Sequence, residues 1–208
     1  MAEALPPAEP AASLETIELE HVPATHSVNV AVFMDVENAE FLQQQLLGRN
    51  TEYEYAFIDA TSVISRLQVL SAVYKAITTQ LGGSMKTPNI HSEIVCSLSP
   101  NNNISEAYRR YGIAPASKHL IVVKVLISSS SSSPPRTAQD VERHLLDNVR
   151  GQICPFTDET LSGFTDWAKV RKYYKLNGIG WLDSIKDEGL RHKETEMLVL
   201  GSMALRGL

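Results

Sequence analysis

Residues 120–127 read Leu-Ile-Val-Val-Lys-Val-Leu-Ile, and this run decides the fold class. All of it except Lys124 is apolar, and most of its residues are β-branched. A nearly continuous run of this kind is typical of a strand that is buried on both faces of a sheet. The sequence therefore predicts a central β-strand here, with the rest of the fold arranged around it.

The elements that flank this strand predict an α+β domain. Residues 14–20 alternate imperfectly and residues 28–34 are rich in Val and Phe, so the two segments predict an antiparallel strand pair. Residues 93–98 predict a further strand. Apolar periodicity and capping residues predict helices over 39–47, 63–81, 104–111, from Thr137 onward, 166–176 and 195–205. Because strands and helices alternate unevenly, we expect one domain with several helices packed on a small, mainly antiparallel sheet, with a mixed sheet as the alternative.

The longest predicted helix carries one continuous apolar stripe. Its members recur at steps of three and four residues: Val63, Leu67, Leu70, Tyr74, Ile77 and Leu81. Side chains at this spacing share one face of an α-helix, and the glycines that follow Leu81 end it. We interpret the stripe as the face that packs on the core.

Composition limits the class of protein. Of 208 residues, 43% are hydrophobic and 21% are charged, which is ordinary globular usage. The mean hydropathy of −0.12 and the lack of a long apolar stretch argue against a membrane-spanning helix or a membrane partner. A net charge of −5 argues against a broadly basic surface for nucleic acid, although it allows a local basic patch. Cys96 and Cys154 are expected to be small, reduced hydrophobic residues of an intracellular protein.

Two segments are predicted to lie outside the packed core. Residues 1–13 are rich in Ala, Pro and Glu and show no periodicity, so they are expected to form a disordered tail. Residues 128–135 are six serines followed by two prolines, which is typical of a low-complexity loop. The remaining chain, residues 14–208, is expected to form the domain that carries the function.

Motifs for catalysis, cofactor binding and metal binding are missing from the sequence. It contains no Gly-rich phosphate loop, no HExxH helix and no nucleophile elbow, and its histidines are scattered. Asp35 and Glu37 lie two residues apart, but carboxylates at a strand end explain them more simply than a metal site that lacks a third ligand. We therefore predict no enzymatic activity, no catalytic residue, no metal site and no cofactor.

An asparagine-rich segment is the first of two polar clusters with a possible binding role. Asn101, Asn102 and Asn103 precede a predicted helix, and Asn103 with Glu106 matches a helix N-cap and its reciprocal partner. A turn followed by a cap explains this pattern without any further function. The alternative is a polar recognition loop with two exposed arginines on the following helix, at positions 109 and 110.

The second cluster interleaves basic and aromatic residues. Lys169, Arg171 and Lys172 alternate with aromatic residues such as Trp167 and Tyr174. Basic groups neutralise phosphates and aromatic rings stack on unpaired bases, so the cluster suits single-stranded RNA. On a helix, however, Trp167 and Tyr174 share a side, and the simpler interpretation is that they belong to the core.

A set of ordered segments resembles one protein family. The segments are residues 57–60 with 66–76, residues 97–104 with 112–113, residues 144–149 with 153–156, and residues 204–207. Together they resemble the Cgi-type kinase-binding subunit of the KEOPS (EKC) complex. The resemblance runs from about Leu14 to Leu208, and the Ala-rich tail and the serine tract look like additions to a common core.

The resemblance implies a function that composition does not. The family binds the small atypical protein kinase of KEOPS, through it reaches the other KEOPS subunits, and has no catalytic role of its own. The complex helps to make threonylcarbamoyladenosine next to the anticodon of tRNA, and the subunit helps to recruit tRNA, including its unpaired 3′ end. Links to telomere maintenance and transcription, and a location in nucleus and cytoplasm, are also implied.

Candidate site residues follow for each partner. The last predicted helix is apolar nearly all round, so one face is expected to pack on the sheet and another to meet the kinase. The alternative is a helix that is simply buried in the core. The kinase-binding candidates are Leu198, Leu200 and Met203. The tRNA-binding candidates are Arg109, Arg110, Lys118, Lys169, Arg171 and Lys172. Two alternatives remain open: a module that acts mainly through the tRNA 3′ end, and a small-ligand domain, which would need a deep polar pocket.

Overall fold

A computed structural model of the chain describes residues 13–128 and 136–206. The strands are β1 Glu15–Ile17, β2 His26–Met34, β3 Ala56–Asp59, β4 Leu120–Ile127 and β5 Gln152–Cys154. The α-helices are α1 Ala39–Leu47, α2 Arg66–Leu81, α3 Ile90–Ser97, α4 Ile104–Tyr111, α5 Ala138–Asn148, α6 Asp158–Phe164, α7 Trp167–Tyr173, α8 Gly180–Asp183 and α9 Glu188–Ala204. Short 3₁₀ turns cover Thr51–Tyr53 and Ala60–Ser62. The predicted tail and the predicted serine-rich loop fall almost wholly outside the described residues.

The strands form one sheet in the order β1-β2-β4-β3, and β5 joins the same edge of β2 as β1. Every pairing within it is antiparallel. Strand β4 pairs with β2 over its whole length and with β3 over its first half, so its predicted central position is confirmed. The predicted antiparallel pairing of the first two strands is also confirmed.

Helices cover both faces of this sheet, which explains the nearly continuous apolar runs of β2 and β4. On one face, Val30 and Ile121 join a core built with α2, α3, α7 and α9. On the other face, Phe33 and Val122 join a second core built with α1 and α5. The α+β class and the single small sheet are as predicted.

The predicted strand over residues 93–98 is wrong, because this segment lies in helix α3. The Asn89 side chain caps the helix by accepting a hydrogen bond from the Ser92 amide at 2.8 Å. Nearly the whole helix is buried between the sheet and α2. A short apolar run buried on all sides has no period that separates a helix from a strand, and this is the physical reason for the error.

The predicted core role of the apolar stripe is confirmed for Val63, Leu70 and Ile77, but it is wrong for the other three residues. Helix α2 buries a face of mostly small residues: Gln68, Val69, Ala72, Val73, Ala76 and Ile77. Of the predicted stripe, Leu67, Tyr74 and Leu81 are exposed. Small side chains let α2 pack closely on α3, and the larger apolar residues are therefore left on the outer side.

Local capping signals were more reliable predictors. Thr137 and Asp140 form a full capping box at the start of α5, and Val141 and Leu145 are buried as predicted. Asp166 caps α7. Helix α9 begins at Glu188, seven residues before the predicted start, because Asp187 caps it through the Leu190 amide.

Candidate functional site

An apolar groove of about 680 Å³ lies between α2 and α9. We call it the α2–α9 groove. It is lined by residues from both helices and from the loop after β1: Leu19, Glu20, Leu67, Leu70, Ser71, Tyr74, Lys75, Thr78, Leu200, Met203 and Ala204. One side of the groove is formed by Leu67, Leu70 and Tyr74, which belong to the apolar stripe of α2. The other side is formed by α9, the helix that was predicted to meet the kinase.

The α2 wall of this groove exposes large apolar side chains. Leu67 is 54% exposed and Tyr74 is 39% exposed, and Leu70 between them is half-buried. Large apolar groups that form a continuous exposed patch mark interaction surfaces more often than isolated ones do. The sequence contained this signal in the stripe, but the stripe was assigned to the core.

The α9 wall accounts for the predicted kinase-binding residues. Leu200 is half-buried and lines the groove. Leu198 is half-buried and packs against the core from outside. Met203 also lines the groove, but it is only 3% exposed and most of its side chain packs in the core, so its role in kinase binding stays a prediction. The prediction that α9 packs on the sheet needs a similar correction, because its main neighbours are α2 and α8.

Two cations fix the end of α9. The Lys75 ammonium donates to the Met203 carbonyl at 2.7 Å and to the Arg206 carbonyl at 3.1 Å. The Arg206 guanidinium donates to the Cys96 carbonyl, and its Nε donates to Asn102 Oδ1 at 3.1 Å. The contact between Arg206 and Asn102 joins two of the segments that carry the family resemblance, residues 204–207 and residues 97–104.

The asparagine segment is mainly a turn and a cap. Asn103 accepts the Glu106 amide at 3.0 Å, so the predicted N-cap is confirmed, but the Glu106 carboxylate binds Asn101 at 2.8 Å instead of returning to Asn103. Asn101 also accepts the Asn103 amide. Of the three, Asn102 has the role that sequence could not predict, because it holds Arg206.

The predicted tRNA-binding cations do not all face solvent. Arg110 pairs with Glu106 and donates to the Tyr173 carbonyl at 3.1 Å, so its predicted exposure is wrong. Arg171 pairs with Asp183 and donates to the Leu176 carbonyl. Lys169 donates to Thr61 at 2.6 Å, and its Nζ lies 3.5 Å from Asp59. These three cations hold the fold together.

The other three candidate cations are exposed: Arg109 on α4, Lys118 before β4, and Lys172 on α7. Among the aromatic residues interleaved with the basic ones, Tyr174 is buried and Trp167 packs against the core. The core interpretation of that cluster is therefore confirmed for these two rings.

Arg109 also lines a second groove, of about 740 Å³, between α1 and the segment from α3 to α4. We call it the α1–α4 groove. Its walls combine apolar, amide, basic and acidic groups, and its members include Gln43, Leu46, Leu47, Arg49, Asn50, Glu54, Tyr55, Asn89, Tyr108 and Arg109. Sequence reasoning missed Arg49, because only the fold brings residue 49 and residue 109 to one groove.

Arg49 adopts an unusual backbone conformation at the edge of this groove. Its φ angle is +55°, in the left-handed region that favours glycine. The residue follows the end of α1, where the Arg49 and Asn50 amides close the helix on the carbonyls of Leu46 and Gln45. A basic side chain is thus held at a position where a glycine would be less strained.

A buried polar cluster lies behind the α1–α4 groove. His91 is 4% exposed; its Nε2 accepts the Val125 amide at 3.1 Å, and its Nδ1 lies 3.5 Å from Glu54. Burial lowers the pKa of His91 although the Glu54 carboxylate acts in the opposite direction. The buried ring is therefore neutral. Burial also lowers the pKa of Lys124 to about 8, and its ammonium donates to the Glu54 carbonyl at 2.6 Å. His91 Nε2 and the Lys124 ammonium therefore have structural partners, whereas His91 Nδ1 approaches Glu54 without a hydrogen bond.

A polar cavity of about 560 Å³ lies between α7 and α9. It is the candidate for the polar pocket that the small-ligand alternative requires. Its charges compensate one another, since Arg171 pairs with Asp183 and Glu188 lies 3.8 Å from both Arg191 and His192. Across residues 13–128 and 136–206, no group of three or more His, Cys, Asp or Glu side chains could hold a metal ion. In the same ranges, no helix is long and apolar enough to cross a bilayer.

Comparisons with known proteins agree with the family resemblance that the sequence segments indicate. Residues 33–207 match the family described as "Kinase binding protein CGI-121". The chain is similar to the EKC/KEOPS complex subunit CGI121 of Gibberella zeae, with 57% identity over 94% of this chain and 100% of that protein. It is 47% identical to the subunit of the same name from Neurospora crassa, over 94% and 100% of the two chains.

A more distant relative extends the similarity. The EKC/KEOPS complex subunit cgi121 of Schizosaccharomyces pombe is 35% identical over 72% of this chain and 82% of that protein. The family match covers most of the chain and includes both walls of the α2–α9 groove. The chain therefore belongs to the CGI-121 family of kinase-binding proteins.

Proposed function

We propose that this protein is a non-catalytic subunit of the KEOPS/EKC complex and that it binds the small atypical kinase of the complex through the α2–α9 groove. The single observation that carries the choice of surface is the exposed apolar wall of α2, with Leu67 and Tyr74 beside Leu200 of α9. Kinase binding is the activity for which the family is named.

The composition of the groove suits a protein partner. Interface centres are apolar and rich in aromatic residues and methionine, with charged groups kept to the rim. In the α2–α9 groove, Tyr74 and the leucines supply the apolar lining, whereas Glu20 and Lys75 are its charged members. An aliphatic or aromatic anchor of the kinase would bury this patch, and that burial would drive association.

The test is a charge in the groove with a matched control on the other side of the sheet. Leu67→Asp should weaken kinase binding by at least about 30-fold, the size of an interface hot spot. Leu146→Asp is the control, because Leu146 on α5 is 53% exposed against 54% for Leu67. The measurement is titration calorimetry with the purified kinase. Equal affinities for the two variants, both folded by circular dichroism, would remove the groove from the proposal.

We further propose that the subunit helps to recruit tRNA, and that the α1–α4 groove receives an unpaired RNA end. Unpaired nucleotides are held by stacking on aromatic side chains and by cations near the phosphates. The groove supplies Tyr108 as a stacking surface, Arg49 and Arg109 as cations, and the amide of Asn89. The overall negative charge fits this limited patch, because the remaining surface would repel RNA.

The RNA test uses a closely matched pair of arginines. The Arg109 side chain is 76% exposed and lies 3.7 Å from the Glu106 carboxylate. The Arg143 side chain is 74% exposed and lies 3.8 Å from the Asp140 carboxylate. Arg109→Glu should weaken tRNA binding and reduce the slope of affinity against salt by about one, and Arg143→Glu should change neither much. A tRNA that lacks its 3′-terminal unpaired nucleotides should bind both proteins alike. Identical salt slopes for the two variants would contradict this assignment.

The cellular role that we propose is support of threonylcarbamoyladenosine formation next to the anticodon, in nucleus and cytoplasm, with the links to telomeres and transcription that the complex implies. Cells that carry Leu67→Asp should lose this modification in part, by mass spectrometry of tRNA. Cells that carry Leu146→Asp should keep it. A fluorescent fusion tests the location.

A further inference from the structure

The C-terminal ends of α9 and α3 each accept hydrogen bonds from a cation beside the α2–α9 groove. Lys75, from the middle of α2, binds the Met203 carbonyl in the last turn of α9 and the Arg206 carbonyl just past its end. Arg206, just past the end of α9, binds the Cys96 carbonyl at the end of α3 and the Asn102 side chain. Each cation thus caps the C-terminal end of a neighbouring helix, in the sequence α2 to α9 to α3.

This arrangement is favourable for two physical reasons. The last carbonyls of a helix have no partner within it, and the helix dipole makes that end negative. A lysine or arginine from another element satisfies both needs at once. Partial burial and the nearby Arg206 charge lower the pKa of Lys75, and the two carbonyls replace part of the water that its ammonium gives up.

We propose that Lys75 and Arg206 are positioning residues that hold the last turn of α9 as a preformed wall of the kinase-binding groove. This proposal rests on the kinase-binding function proposed above. Leu200 and Ala204, which line the groove, lie in the turns that these cations hold. We call the contacts of Lys75 and Arg206 with these helix ends the clamp. Without the clamp the last turn of α9 would fray, since helix ends open at low cost, and the kinase would have to order this turn on binding.

The clamp acts on the groove more than on the fold. Val199 and Met203 are buried in the main core and anchor the body of α9 without it. Arg206 lines none of the groove, so a change there alters the wall without removing a contact surface. Asn102 is equally outside it. Arg206 and Asn102 are therefore the variants that separate positioning from direct contact.

The experiment combines kinase titration calorimetry with amide hydrogen exchange. Arg206→Ala should weaken kinase binding about three- to tenfold, as expected for the loss of one charge at a helix end, with a more unfavourable binding entropy. Amides of residues 200–205 should exchange faster, while those of β4 should not change. Asn102→Ala and Arg206→Lys, which each keep part of the contact, should give smaller changes in the same direction.

Arg191→Ala is the control on the same helix, because it also removes a guanidinium with a polar partner, Glu188, but lies at the other end of α9. It should leave kinase affinity unchanged. If Arg206→Ala leaves exchange of residues 200–205 unchanged, or binds the kinase as the wild type does while Leu67→Asp loses binding, the clamp is wrong and the groove stands. If Leu67→Asp binds normally, the groove is wrong, and the exchange rates alone then decide whether the clamp exists.

Discussion

Helices α2 and α5 pack on opposite faces of the same sheet, yet they leave very different surfaces exposed. Helix α5 is a simple amphipathic helix: Val141 and Leu145 are buried, and most of its outer residues are polar. Helix α2 is apolar on its inner side and again on its outer side, where Leu67 and Tyr74 are exposed. The comparison teaches that an apolar stripe locates a face that must be covered, but not whether the chain itself or a partner covers it.

The largest expected effect tests the buried side of α5. Leu145→Ala removes a side chain that is 2% exposed in the second core, and it should lower the free energy of unfolding by about 2–5 kcal/mol. Urea denaturation followed by circular dichroism measures the change. A loss below about 1 kcal/mol would mean that α5 covers its face of the sheet only loosely, and the contrast with α2 would weaken.

A smaller effect compares two histidines on the two sides of the sheet. His91 on α3 is buried and neutral, so unfolding lets it take up a proton below its usual pKa of 6.5. The unfolded state then binds more protons, and stability falls as pH falls below about 6.5, by at most about 1.4 kcal/mol per pH unit. His144 on α5 has a pKa lowered in the same direction but is only half-buried.

Replacement of each histidine separates their contributions. His91→Gln should flatten the decline of stability between pH 6.5 and 5 more than His144→Gln does, as measured by thermal unfolding across that range. The carboxylate of Glu54 and the ammonium of Lys124 face His91, so both should be kept unchanged. An equal flattening by both variants would place the acid sensitivity elsewhere.

The smallest expected effect is on the exposed leucines themselves. Leu67→Ser and Leu146→Ser should each change the free energy of unfolding by no more than about 0.5 kcal/mol, because both side chains are about half exposed. Differential scanning calorimetry on the isolated protein measures this. A large loss for Leu67→Ser would mean that the α2 stripe supports the fold after all, as the sequence first suggested.

Features that depend on neighbouring residues were predictable from the sequence. The run at 120–127 identified the central strand, and Asn103, Thr137 and Asp166 marked helix starts. Such signals are local, because a cap or a β-branched run needs only a few residues. The rotation of α2 was not predictable, since both of its sides are apolar and only the contact with α3 decides which one is buried.

The candidate sites were predictable only in part, because distant segments build them. Leu200 was predicted and lines the α2–α9 groove, but its partners on α2 lie more than a hundred residues earlier. Arg49 and Arg109 share a groove that no spacing in the sequence indicates. Charge alone also misled at Arg110, whose guanidinium pairs with Glu106 instead of facing solvent.

The contact between His91 and Val125 also closes an open position on the edge of β4. Strand β3 begins opposite Val123, so β4 extends beyond it and β3 leaves the Val125 amide unpaired on that side. An open amide on a strand edge is a template on which another chain can add a strand and begin aggregation. Here an imidazole from α3 closes that edge. Because protonation of the ring removes this acceptor, we expect acid to expose the Val125 amide and to promote self-association through β4.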